Sequence, residues 1–174
     1  MYEGKLVRLR ALEWDDAERY RSWVNDAELA SLVDRFRPVS LEEHRRWYER
    51  VTTSESTLMF AVDDRESGEF LGCVWLQGID RHHRKAEVRI LLGAPSQLGK
   101  GRGTDALTTL RRVAFDRTGL SKLYAEVLET NERACRAFEA AGFRREGLLL
   151  DDRFVDGESR SVVRFGLLKR ELQA

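Results

Sequence analysis

The sequence predicts an α+β domain built on a mixed, mostly antiparallel sheet, and three observations carry the prediction. Leu58 to Leu92 reads as strand, turn, strand, turn, strand, the pattern of an antiparallel meander. Gly99-Lys100-Gly101-Arg102-Gly103 then separates the last of these runs from an amphipathic helical run, a βαβ-like step that adds a parallel pair. The C-terminal part holds two strand-like runs flanking Asp156-Gly157, a tight-hairpin signal.

The elements follow in order. Leu6-Val7-Arg8-Leu9-Arg10-Ala11-Leu12 alternates broadly like a half-buried strand. From about Asp15 to Asn25 the spacing turns helical, with Ala17, Tyr20 and Val24 on one face. A second helix opens at Ser40, because Ser40-Leu41-Glu42-Glu43 has capping-box spacing: the hydroxyl satisfies one orphan amide while Glu43 reaches back to another. In the meander, Ser67-Gly68 marks the first turn and Asp80-Arg81-His82-His83-Arg84 the second. Arg102 to Arg117 is a helix that buries Leu107, Leu110, Val113 and Ala114 and stops at Gly119. Leu123 to Leu128 is a strand, and Glu132 to Ala141 a short helix ended by Gly142, the residue best suited to a left-handed cap. The total is about seven strands flanked by four helices. With no repeat, low-complexity tract or linker, residues 1–174 are expected to form one domain.

Composition narrows the function classes. Apolar residues make up 42% of the chain and charged residues 34%, which reads as globular. Thirty basic residues balance thirty acidic ones, so no broad positive field draws a nucleic-acid backbone. The start, Met1-Tyr2-Glu3-Gly4-Lys5, lacks a signal-peptide pattern, and no apolar run approaches the length of a membrane span. Cys73 and Cys135 stand in unlike contexts and are expected as free thiols, which points to a cytoplasmic protein.

The most informative stretch is Gln97-Leu98-Gly99-Lys100-Gly101-Arg102-Gly103-Thr104-Asp105-Ala106. Glycines at alternate positions let the backbone turn tightly and expose successive amides without Cβ obstruction. Those amides and the positive end of the helix dipole suit a pyrophosphate, to which Lys100 and Arg102 can add charge. A Walker A loop is excluded, since no Gly-Lys-Ser/Thr follows at the required distance. Gly101-x-Gly103-x-x-Ala106 does fit a dinucleotide fingerprint, with Glu126 or Glu129 near the place of a ribose-binding acid. Its position after an antiparallel meander, and the short remaining chain, argue against that reading.

The residues from Glu87 onward resemble the GNAT N-acetyltransferase superfamily, and within it the ribosomal-protein serine/alanine N-acetyltransferase-like group. The resemblance lies in Glu87-Val88-Arg89-Ile90-Leu91-Leu92-Gly93 with the glycine-rich turn, in Asn131 through Gly142-Phe143, and in Glu146-Gly147-Leu148 through Asp156-Gly157 to Leu168. Residues 6–12 and Trp23-Val24-Asn25-Asp26 also fit, so it spans nearly the whole chain. It implies a GNAT acyl-CoA N-acyltransferase fold whose central sheet splays near its middle to admit the pantetheine arm. It implies that amides from about Leu98 through Gly99, Lys100, Gly101, Arg102 and Gly103 to Thr104 cradle the pyrophosphate of acetyl-CoA. Main-chain groups of Leu91 and Leu92 would align the pantetheine, Asn131 would hydrogen-bond it, and Phe138 would lie beside it. Three departures stand out: Leu98, with Gln97 beside it, holds a place where relatives commonly carry Arg or Gln, though the binding amides do not depend on that side chain; Phe138 occupies a place where relatives often carry a proton-donating tyrosine; and Ser161 replaces an acid common in the last strand.

An alkyl ammonium has no lone pair, so amine acetylation needs a proton acceptor, and Glu87 can serve directly or through water. The competing reading pairs Glu87 with a neighbouring arginine. A thiol pKa near 8.5 makes the departing thiolate tolerable without Phe138 donating a proton. Cys135 shares a helix face with Asn131 and Phe138 and is best read as core, as is Cys73. His82-His83 lacks a third ligand at metal spacing and reads as a solvated turn, so no metal is implied. Trp47, with His44 and Tyr48, is open to lining an acceptor cleft, with helix packing the favoured role.

The expected function is therefore transfer of the acetyl group of acetyl-CoA, a cosubstrate, to a primary amine by direct attack in a ternary complex. A protein N-terminal amine is slightly preferred as acceptor, on the resemblance alone. The alternatives are a small-molecule amine (polyamine, amino sugar or antibiotic) and, because of Phe138, a catalytically weak CoA-binding regulatory module. Neither nucleic acid nor membrane is expected as a partner, and the resemblance leaves a homodimer open.

Overall fold

The computed structural model describes residues 1–32, 37–93 and 99–172. Eight strands form one sheet in the order β1-β2-β3-β4-β5-β6-β8-β7. The strands are β1 (Tyr2–Glu3), β2 (Val7–Arg10), β3 (Thr57–Asp64), β4 (Phe70–Asp80), β5 (Lys85–Leu92), β6 (Lys122–Leu128), β7 (Arg144–Val155) and β8 (Glu158–Leu168). The helices are α1 (Trp14–Val24), α2 (Ala27–Leu32), α3 (Leu41–Thr53), α4 (Arg102–Arg117) and α5 (Glu132–Ala140). All pairings are antiparallel except β5 with β6. No helix among the described residues is long and apolar enough to cross a membrane.

Period-2 alternation in the strands divides the core into two layers. On one face Ala86 and Val88 of β5 and Leu123, Ala125 and Val127 of β6 pack with Leu107, Leu110 and Val113 of α4 and Phe138 of α5. On the other, Cys73 and Leu91 pack with Tyr20 and Val24 of α1, partly covered by Trp47 and Tyr48 of α3. Both cysteines are buried free thiols, and burial pushes both thiol pKa values up.

Local chemistry fixes the helix ends. Ser40 Oγ accepts from the Glu43 amide at 3.2 Å while Glu43 Oε2 accepts from the Ser40 amide at 3.1 Å, the capping box read from the sequence. Asp105, in the first turn of α4, accepts from the amides of Lys5, Leu6 and Val7 at 3.1, 2.7 and 3.0 Å, which ties the start of the chain onto this helix. Asp156 (φ 52°) and Gly157 (φ 84°) form the β7–β8 turn with both residues left-handed.

The structure departs from the expected counts by one strand and one helix. Tyr2–Glu3 is too short to show a period, yet it pairs with Leu9 and Arg8. Helix α2 buries no residue, so its sequence carries no apolar stripe to mark it.

The feature that positions the site is the brief contact of β5 with β6. They pair only at Lys85–Lys122, Ala86–Leu123 and Glu87–Tyr124. Beyond Glu87, β5 stays with β4 as far as Leu92 and β6 stays with β8 as far as Leu128. The sheet therefore opens into a wedge between Val88–Leu92 and Ala125–Leu128, the splay expected from the resemblance.

Candidate active site

Helix α4 starts from Gly101, which is left-handed at φ 79°, and no side chain caps it. The amides of its first turn are thus left for a ligand. Gly99 is also left-handed, at φ 74°. Gly99, Gly101, Gly103 and Thr104 line a cavity of about 520 Å³ whose other walls come from Leu29 and Leu32 of α2, Leu91 and Leu92 of β5, and Arg133 and Arg136 of α5. A Cβ built on Gly103 would meet nothing closer than Leu92 Cδ1, at 3.8 Å. Uncapped amides, a positive helix end and two arginines opposite make a fitting receptacle for a pyrophosphate.

Leu98 and Gln97 lie outside the described residues. Lys100 is exposed in the turn. The side chain of Arg102 is not available to a phosphate as expected: its Nε donates to Asp64 Oδ2 in a largely buried ion pair. Asp64 also accepts from Ser67, and these bonds hold its carboxyl down at about 2. With Arg102 held in this ion pair, Lys100 and the backbone amides remain to supply the turn's positive charge.

A second cavity, of about 500 Å³, runs through the wedge. It shares Leu32, Ile90, Leu91, Asn131 and Ala134 with the first, so the two adjoin along these residues. Gly93 N donates to Leu71 O at 2.9 Å, and Leu91 O lies against Gly72, so alternate residues of this strand end spend their main-chain groups on β4. Alternation leaves those of Ile90 and Leu92 facing the wedge. The main-chain groups of Leu91, expected to align the pantetheine, are instead turned to β4, and its side chain lines both cavities.

Asn131 is the N-cap of α5. Its Oδ1 accepts from the Ala134 amide at 3.1 Å, which leaves Nδ2, 3.5 Å from Leu32 O, as the group nearest the two cavities. Phe138 lines the floor of the wedge but is only 2% exposed, stacked on Phe165 and edge-on to Phe143. It serves as core as well as wall and carries no proton to give. Cys135, beside it, is core, as expected.

Glu87 stands where β5 and β6 part, with Gln77 and Tyr124 as cross-strand neighbours. Arg89 Nε donates to its Oε1 at 2.8 Å, and Oε2 has no hydrogen-bond partner among the described residues. The ion pair of the competing reading is thus present through Oε1, and Glu87 borders the wedge without being among the residues that line its cavity.

The acceptor side of the wedge adds residues that sequence reasoning did not select. Arg89, Glu126 and Arg153 line it. Glu126, weighed only as a ribose ligand, accepts from Arg164 Nη1 at 2.5 Å and from Arg153 Nη2 at 2.9 Å. Arg164 in turn lies over the Tyr124 ring, 3.8 Å from its centroid. Glu87, Arg89, Tyr124, Glu126 and Arg164 share one face by strand alternation, a signal available in the sequence but obscured by the distance between the strands. Trp47 does not join this cleft. It stacks on Tyr20 and His44 and borders a separate hollow with Arg37, Arg46 and Arg50. His82 and His83 sit in an exposed turn.

Comparison with known proteins supplies the family and the fold. The acetyltransferase (GNAT) domain profile matches residues 7–144. A spermidine N(1)-acetyltransferase of Escherichia coli (strain K12) is 29% identical over 168 residues, covering 97% of this chain and 89% of that one. A putative ribosomal N-acetyltransferase of Bacillus subtilis (strain 168) is 29% identical over 176 residues, covering 95% and 92%. Among solved structures, a spermidine N-acetyltransferase from Vibrio cholerae in complex with CoA and spermine superposes with a TM-score of 0.89 at 27% identity, covering 97% of this chain and 99% of that one.

Proposed function

The chain belongs to the acetyltransferase (GNAT) family and is an N-acetyltransferase that uses acetyl-CoA, and on that premise we propose that its acceptor is the primary amine of a small molecule, attacked directly in a ternary complex. The observation that supports the ternary complex is that the glycine-turn cavity and the wedge cavity adjoin, with Ile90, Leu91 and Asn131 lining both. Two substrates entering from opposite sides meet at the wedge, where positioning alone contributes several kcal/mol. The names of the relatives support a small acceptor over the protein N-terminus that the sequence resemblance slightly preferred.

Acetyl-CoA supplies the thioester. The amides from Gly99 to Thr104 bind its pyrophosphate, the main-chain groups of Leu92 and Ile90 hold the pantetheine arm in register, and Asn131 donates to that arm through Nδ2. Glu87 takes the amine's proton on Oε2, directly or through water, while Arg89 holds the carboxylate in place through Oε1. Phe138 shapes the wall and has no proton to give, so solvent at the open end protonates the departing thiolate.

Initial rates measured with acetyl-CoA and amine both varied, over a panel of small amines and N-terminal peptides, test this reading. Intersecting double-reciprocal lines and a preference for a small amine are expected. Parallel lines, or turnover confined to peptides, would contradict it. CoA binding without turnover of any amine would leave the regulatory-module reading in its place.

A further inference from the structure

We infer that the acceptor amine carries a negatively charged group, a carboxylate or phosphate, received by the Arg89 guanidinium at the acceptor end of the wedge. The inference deepens the small-molecule reading above and rests on it. It comes from an inventory of which polar atoms in the cleft are already engaged.

The charged residues lining the wedge cavity, among those described, are Arg89, Glu126 and Arg153. Glu126 has no oxygen to spare, since Oε1 accepts from Arg164 and Oε2 from Arg153. Glu87 keeps only Oε2, the atom assigned to the amine's proton, because Oε1 accepts from Arg89 Nε. Arg89 uses Nε alone in this bond, and no partner of its Nη1 or Nη2 stands among the described residues. Arg153 also meets Asp152 through Nη1.

Depth follows the same division. The Arg89 side chain is 42% exposed against 12% for Glu87, and Arg153 is 32% exposed against 21% for Glu126. Glu87 and Glu126 are thus less exposed than the arginines paired with them, and, with Asp152 (31% exposed) at its side, Arg153 stands largely neutralised while Arg89 faces the opening with its terminal nitrogens. A polyamine, with several ammonium groups, needs carboxylate oxygens turned toward it, and those of Glu126 already accept from Arg153 and Arg164. A carboxylate or phosphate matches the planar donor fork that Arg89 presents. Held there, a short amine can place its nitrogen near Glu87 Oε2, because Arg89 and Glu87 are adjacent on one face of β5.

The experiment compares kcat/KM within two pairs of amines, β-alanine against β-alaninamide and O-phosphoethanolamine against ethanolamine, with spermidine alongside. The anionic member of each pair is expected to be preferred about tenfold or more. That ratio should fall about tenfold in Arg89→Gln, mainly through KM, and recover in part in Arg89→Lys. Comparing ratios between wild type and variants cancels the unequal basicity of the amines. An active enzyme that prefers spermidine or the neutral amines, or a ratio unmoved by Arg89→Gln, would overturn the inference while leaving the small-molecule reading intact. Failure with every small amine, alongside turnover of peptides, would overturn both.

Discussion

Replacing Gly103 by valine is expected to weaken acetyl-CoA binding about 100-fold in a protein that remains folded. Gly103 lies in the first turn of α4 and lines the coenzyme cavity. Its φ is not in the left-handed region, and a Cβ there would stand 3.8 Å from Leu92 Cδ1, an ordinary contact. Helix propensity changes slightly in valine's favour, by roughly a few tenths of a kcal/mol. The branched side chain would occupy the space in which a pyrophosphate approaches the amides. Losing two charge-assisted bonds at roughly 1.5 kcal/mol each gives about 3 kcal/mol, or about 100-fold. Calorimetric titration with acetyl-CoA, alongside a melting curve, separates binding from folding. Gly101 would be a poorer choice, because at φ 79° any side chain strains the backbone and confounds the two.

Replacing Glu87 by glutamine is expected to lower kcat about 100-fold with no change in acetyl-CoA affinity. Glutamine keeps the shape of the side chain, and its carbonyl oxygen can still accept from Arg89 Nε, which bonds Glu87 at 2.8 Å. What disappears is the ability to take a proton, and a positioned general base is worth roughly 100- to 10,000-fold. The lower end is the fitting estimate, because a fraction of the amine is already uncharged at high pH. The pH–rate profile should change shape as well, with the variant approaching wild type as the solution deprotonates the amine. A rate and profile like those of wild type would reduce Glu87 to the ion-pair partner of Arg89.

Much of this architecture was legible because its signals are local. Helix α4 runs Arg102–Arg117, the bounds read from the sequence, since glycines punctuate both ends and its apolar residues repeat at helical spacing. The Ser40 capping box and the Asp156-Gly157 turn depend on a few neighbouring residues and stand where expected. The resemblance contributed the splay and the coenzyme roles, which no periodicity could supply.

What escaped the sequence is set by distant contacts. Arg102 looks like a phosphate ligand beside its glycines, yet it bonds Asp64, 38 positions away, which only the fold brings near. The face carrying Glu87, Tyr124, Glu126 and Arg164 is assembled from three strands whose register the sequence does not state. Arg133 and Arg136 follow Asn131 on α5, but their place opposite the glycine turn depends on how α5 packs against α4. Helix α2, which buries no residue, lends Leu29 and Leu32 to the coenzyme wall without an apolar stripe to announce them.

The central claim is that one passage, from the glycine turn through the parted strands, brings acetyl-CoA to the amine. A crystal structure of the protein with acetyl-CoA tests it most directly. The account predicts the pyrophosphate within hydrogen-bond distance of the amides between Gly101 and Thr104. It also predicts the pantetheine arm between β5 and β6 and the acetyl group near Ile90 and Leu91, on the way to Glu87. A coenzyme bound elsewhere, or one whose arm lies outside the wedge with the amides of α4 unengaged, would contradict it.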